Sequence, residues 1–209
     1  MKKAVIIALV FVGILIVVGC APKVMVPPKI GLSDYEIVGI IEFESNSEGD
    51  YGDYITRKFI ETIIEDQPGV KIVELGSMDE ILAEIGASSL GPTAIDSINR
   101  RFGIKTLITG NLDISQPSPN IHGMLDLASI GVEVDVTAML TVRMRDTDSG
   151  ATVWISSASE ERELANIGFS GDLFYFDTKN PDKVHDKLTD KLVKKVSQDF
   201  RISYVRNRD

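Results

Sequence analysis

The sequence predicts an α/β fold, with a mixed parallel and antiparallel sheet flanked by helices. Three observations predict it. From Tyr35 to Ile114, short apolar strand-like runs alternate with segments of helical spacing, an order that calls for parallel crossovers. From Val132 to Met144, every second residue is apolar, the mark of a long strand with one buried face. Asp146-Thr147-Asp148-Ser149-Gly150 then supplies a tight return into Ala151–Ser159, which makes an antiparallel hairpin.

In chain order, Met1-Lys2-Lys3 gives a short positive start and Ala4–Val18 an unbroken run of apolar residues and glycine. Charge, apolar stretch, small residues and a cleavage point form a secretory signal. The run is short for a membrane-spanning helix, which needs about 20 residues. Ala21-Pro22-Lys23 after it is no basic stop-transfer flank. Val17-Val18-Gly19-Cys20 resembles the lipobox of bacterial lipoproteins. That resemblance implies that residues 1–19 are cleaved and that Cys20 carries covalent diacylglyceryl and N-acyl lipid. It also implies that Ala21, in place of Asp, directs the protein to the outer membrane, with the domain facing the periplasm. One acyl chain anchors only marginally, and stable attachment takes more than one.

Removing nineteen residues from 209 leaves 190, and losing Lys2 and Lys3 takes the net charge from −9 to −11. That length suits one domain. The acidic balance argues against nucleic acid, where Lys and Arg must neutralise phosphate. Cys20 is the single cysteine, so no intrachain disulfide can form.

Ala21–Ser33 contains Pro22, Pro27, Pro28 and Gly31 and little pattern. Residues 20–34 therefore read as a lipidated tether, and 35–209 as the domain. Tyr35–Phe43 predicts a first strand. Tyr51–Asp66 predicts a helix with Tyr51, Ile55, Phe59 and Ile63 in one row and Tyr54, Ile60 and Ile64 beside it. Pro68-Gly69 ends that helix, and Val70–Leu75 predicts a strand. Ser77 with Glu80 is a capping-box pattern, opening a short helix with Met78, Ile81, Leu82 and Ile85 inward. Pro92 opens another, with Gly103 as its stop. Ile104–Ile114 predicts a strand and Gln116–Asn120 a loop. Glu160–Asn180 is less regular, and Asp182–Phe200 closes as a helix with Val184, Leu188, Leu192 and Val196 in a row.

Catalytic patterns are sparse. Asp113, His122 and Asp126 are near in sequence, but their spacing matches no metal-ligand motif. His185 sits in a charged run. No Gly-x-Ser-x-Gly elbow is present, and Gly86–Gly91 lacks the lysine of a phosphate loop. Glu160-Glu161 reads as a solvated face. The sequence thus predicts no enzyme, no cofactor beyond the lipid and no metal. Phe169, Leu173, Phe174, Tyr175 and Phe176 form an aromatic cluster among glycines. It is either a loop folded onto the core or a contact surface for a partner or a membrane.

Taken in order, these motifs resemble the curli-secretion lipoprotein family, CsgG and its relatives. The resemblance runs over residues 35 to 160. It is carried by the strand Ile37–Phe43 and by Val70-Lys71-Ile72-Val73-Glu74-Leu75 leading into Met78-Asp79-Glu80-Ile81-Leu82. It continues in Phe102-Gly103-Ile104-Lys105-Thr106-Leu107-Ile108-Thr109-Gly110 and in Leu140–Gly150 followed by Trp154. The resemblance implies a three-layer, anticodon-binding-domain-like fold shared with envelope-biogenesis lipoproteins, and a homo-oligomer or a cell-envelope protein partner. In the pore-forming member, two inserted hairpins build an outer-membrane barrel. The corresponding places are about Gln116–Gly131 and Glu160–Asn180. A spanning strand needs about 9–11 residues, and both places are long enough only for short hairpins. The expectation is therefore a non-catalytic assembly or accessory component, with the channel subunit as the alternative.

Overall fold

A computed structural model describes residues 23–46, 51–115, 118–120, 133–165, 168–170, 173–175 and 181–206. The strands are β1 (Lys23–Val26), β2 (Val38–Ile40), β3 (Glu44–Ser45), β4 (Ile72–Glu74), β5 (Thr106–Ile114), β6 (Ser118–Asn120), β7 (Glu133–Asp146), β8 (Thr152–Ala165), β9 (Gly168–Ser170), β10 (Leu173–Tyr175) and β11 (Ser203–Arg206). The helices are α1 (Tyr51–Asp66), α2 (Met78–Ile85), α3 (Pro92–Phe102) and α4 (Pro181–Val196).

The main sheet runs β4-β2-β5-β7, with β8 on the far edge of β7, β6 continuing the line of β5, and β3 pairing β5. β2 is parallel to β4 and β5, whereas β7 is antiparallel to β5 and to β8. This is the predicted order of crossovers followed by a hairpin. The α/β fold with a mixed sheet flanked by helices is what the structure has.

Helices cover both faces. On one, Ile55, Phe59 and Ile63 of α1 and Leu192, Val193 and Val196 of α4 pack on Ile40, Ile108, Leu140 and Val142 of the sheet. Ala138, Leu140, Val142 and Met144 of β7 all fall in this layer, because alternate residues of a strand share a face. On the other face, Ile81 of α2 and Ile95 and Ile98 of α3 pack on Ile41, Ile104 and Leu107. That second helix layer leaves Met139 of β7 and Val153 and Ile155 of β8 exposed.

Local chemistry accounts for the boundaries. The Ser77 hydroxyl accepts from the Glu80 amide, and the Glu80 carboxylate accepts from the Ser77 amide at 3.0 Å. Those Ser77 bonds hold the Glu80 carboxyl below its ordinary pKa. Gly86 and Gly103 stop α2 and α3 in the left-handed region, φ +68° and +67°, which glycine enters without steric cost. In the β7–β8 turn, the Asp146 carboxylate accepts from the Ser149 amide at 2.8 Å, and the Ser149 hydroxyl lowers the Asp146 pKa.

Several expectations need correction. The stretch read as a tether is folded onto the domain from Lys23 on: β1 pairs with β11, and Leu32 is fully buried. Prolines there end the strand instead of keeping the chain loose. Ser118–Asn120, read as loop, is a strand on the edge of β7, where Pro119 is tolerated at a sheet margin. β8 continues to Ala165. Ile64 is exposed on α1. Glu160 is not on a solvated face: its side chain is 13% exposed, and Lys191 and Lys195 of α4 pair with it.

Candidate functional site

The densest set of polar contacts between distant parts of the chain lies where β2 and β4 begin. Its centre is Gln67, just past the end of α1. Its side-chain carbonyl accepts from the Leu32 amide at 2.7 Å, and its amide group donates to the Ile30 carbonyl at 2.6 Å and the Phe200 carbonyl at 2.8 Å. One side chain therefore joins α1, the N-terminal segment and the C-terminal segment.

Asp199 adds a second junction. It accepts from Lys29 Nζ at 2.8 Å and from Trp154 Nε1 at 3.2 Å, while its carbonyl accepts from the Ile30 amide at 3.1 Å. The Lys29 hydrogen bond first, and then that of Trp154, hold the Asp199 carboxyl below the usual range. Arg201 donates from Nε to Asp66 at 2.7 Å and from Nη2 to Ser197 at 3.2 Å. Beneath these bonds, Phe200 is fully buried, edge-on to Trp154 at 4.7 Å and to Phe59 at 6.2 Å. Together they form a clasp that closes the N-terminal segment onto the core. Beside it lies a cleft of about 420 Å³ lined by Leu32, Glu36, Ile37, Val70 and Lys71.

From the clasp, β1 and β11 leave as a two-stranded antiparallel ribbon with Lys23 opposite Arg206 and Val26 opposite Ser203. The other end of the sheet is marked by Asn120 and Ala165, which both pair with Glu133. A 14-residue strand such as β7 spans roughly 46 Å. The clasp and the row of Asn120, Glu133 and Ala165 thus lie at opposite ends of the sheet.

The sequence-predicted residues fall as follows. Cys20 lies outside the described residues, three positions before β1. Phe169 is on β9, and Leu173, Phe174 and Tyr175 are on β10, with Phe169 opposite Phe174 in the register; Phe176 lies outside the described residues. Asp113 is on β5 and accepts from Asn111 at 2.8 Å, while His122 and Asp126 lie outside the described residues. His185 is on α4, with its side chain outside them. Gly86 and Gly91 are helix caps of α2 and α3. Among the described residues no group of three or more His, Cys, Asp or Glu could hold a metal ion, and no helix is long and apolar enough to cross a membrane. Gln67, Trp154, Asp199 and Phe200 were not singled out as a site by sequence, because their convergence depends on tertiary contacts.

No known family's sequence pattern matches the chain, and no curated protein matches it. Solved structures similar to it include the lipoprotein GNA1162 of Neisseria meningitidis (14% identity, 65% of this chain and 88% of that one, TM-score 0.40). A PelC dodecamer of Paraburkholderia phytofirmans gives 13% identity over 86% of this chain and 96% of that one, TM-score 0.45. The LpoB C-terminal domain of Salmonella enterica gives 11% identity over 65% and 96%, TM-score 0.39. With these scores under 0.5, the fold assignment rests on the strand order and the layers described above.

Proposed function

We propose that this chain is an outer-membrane-anchored lipoprotein that acts, without catalysis, as an assembly or accessory component of a cell-envelope secretion or biogenesis system. The observation that carries the reading is the clasp. It fixes residues 29–32 to both α1 and the C-terminal segment, so the domain sits close behind its lipidated residue, Cys20. A domain held this way faces the periplasm with a defined orientation. The row Asn120, Glu133 and Ala165 is then directed away from the bilayer, and we take the aromatic residues Phe169, Phe174 and Tyr175 as the contact for an envelope protein or a second copy of the chain.

The test is metabolic labelling with an alkyne fatty acid, followed by membrane fractionation and in-cell crosslinking. The native chain takes up label, fractionates with outer membrane and crosslinks to itself or to an envelope protein. Cys20→Ala loses the label and the membrane association. An unlabelled native chain, or a labelled one that stays monomeric and uncrosslinked, would overturn the reading.

One observation favours a second reading, that of an oligomeric CsgG-like channel subunit. Asn120, Glu133 and Ala165 share one row of the sheet, and the two stretches that correspond to barrel hairpins, Gln116–Gly131 and Glu160–Asn180, contain or adjoin these residues in sequence. Against it, Pro117 and Pro119 interrupt the first stretch, where a spanning strand needs about 9–11 regular residues. Detergent-stable rings that conduct ions across a planar bilayer would establish the channel.

A further inference from the structure

The β1–β11 ribbon presents an unusual surface. Val24, Met25, Val26, Ile202, Tyr204 and Val205 are between 38% and 64% exposed. Along the register, Val24, Val205 and Val26 lie on one face of the ribbon, and Met25 and Tyr204 on the other. A two-stranded hairpin alone is marginal in water and needs further strands or a surface to pack on. This one is apolar on both faces, so docking on a single protein surface would leave the opposite face in water.

Its position identifies surroundings that cover both faces. Lys23 follows Cys20 by three residues, a reach of about 10 Å. Lys23 is exposed, and its register partner is the basic Arg206, in a chain whose mature charge is strongly negative. Cations at this one end suit lipid phosphates, which the rest of the domain repels. Tyrosine, with an apolar ring and a polar tip, is enriched at the membrane–water boundary. Open strand edges cannot enter the hydrocarbon core, where their amides would find no partner, so the ribbon stops at headgroup depth.

We propose that the β1–β11 ribbon inserts into the headgroup region of a phospholipid bilayer, as a second membrane contact beside the lipid on Cys20. Val24, Val205, Met25 and Tyr204 enter the boundary, and Lys23 meets the phosphates. The ribbon leaves the clasp directly, so its insertion fixes the tilt of the domain as well as its height. This inference rests on the lipidation of Cys20.

The test uses the full lipidated protein in vesicles of phosphatidylethanolamine and phosphatidylglycerol. With Cys20 acylated, Tyr204→Cys supplies the single free thiol for a nitroxide spin label, and Met139→Cys on the exposed sheet face serves as the reference. Collision with oxygen, which partitions into lipid, is compared with collision with a water-soluble nickel chelate. The expected result is an oxygen-to-nickel ratio several-fold higher at Tyr204→Cys than at Met139→Cys. Protein that does not float with the vesicles defeats the lipidation reading, and this inference with it. Protein that floats but gives equal ratios at the two sites overturns the inference alone. So does dipolar broadening between Tyr204→Cys labels on different copies, which would make the ribbon a contact between subunits.

Discussion

Gln67→Ala is the sharpest perturbation of the clasp. It removes three hydrogen bonds, to Leu32, Ile30 and Phe200, with lengths of 2.6–2.8 Å. All three are part-buried, so water replaces the lost partners incompletely. At a net value of about 1 kcal/mol for each bond, the loss is about 3 kcal/mol. For a domain of this size that lowers Tm by about 6–12 °C. The assay is thermal unfolding of the detergent-solubilised mature protein followed by circular dichroism, with hydrogen exchange at the Leu32 amide alongside. The expected result is the lowered Tm together with fast exchange at Leu32. Gln67→Glu separates the bonds, because a carboxylate can still accept from Leu32 but faces the Ile30 and Phe200 carbonyls with charge and no donor; it should be at least as damaging. A Tm within about 2 °C of the native value, with Leu32 still protected, would refute the argument that this side chain holds the N-terminal segment.

Phe200→Ala removes the ring that both Trp154 and Phe59 pack against, and a fully buried Phe costs about 3–5 kcal/mol to truncate; urea unfolding measures it. Gly52→Ala would set a Cβ 2.2 Å from the Phe43 carbonyl oxygen. Backbone meets backbone there, so the variant should lose more than about 1 kcal/mol despite alanine's better helix propensity, and a gain in Tm would contradict this. Asp146, Glu160 and Asp199 all have folded-state pKa values below the ordinary range. Their contribution is complete above the unfolded carboxylate values near 4 and is lost as the pH falls through the lower folded values. Glu160→Gln should therefore flatten the decline of stability below about pH 4, and urea midpoints across that range read it. Ser substitutions at Phe169 and Phe174 should weaken in-cell crosslinking to a partner while leaving Tm within about 2 °C.

The main sheet was legible because its signals are local. The alternation from Val132 to Met144 states a strand and its buried face together, and α1 matches its predicted span from Tyr51 to Asp66. Capping at Ser77 and Gly103 is written in consecutive residues. The ribbon and the clasp were not legible for the opposite reason. Lys23–Val26 is only four residues long, and its partner is Ser203–Arg206, so no window of sequence contains both halves. Pro27 and Pro28 then make the segment look like a linker. Gln67 is a polar residue after a helix, with nothing nearby to show that it reaches Ile30 and Phe200. Glu160 looked solvated because the lysines that cover it come from α4, some thirty residues later in the chain.

The pairing of β1 with β11 also has a consequence for the order of events during export. Under the lipoprotein reading, a chain exported N-terminus first delivers Lys23 well before Arg206. Lys23–Val26 has no strand to pair with until Ser203–Arg206 has emerged. Closure of the ribbon and clasp thus waits on the emergence of residues up to Arg206. A chain stalled or clipped before Phe200 would have residues 23–32 loose and open to proteases.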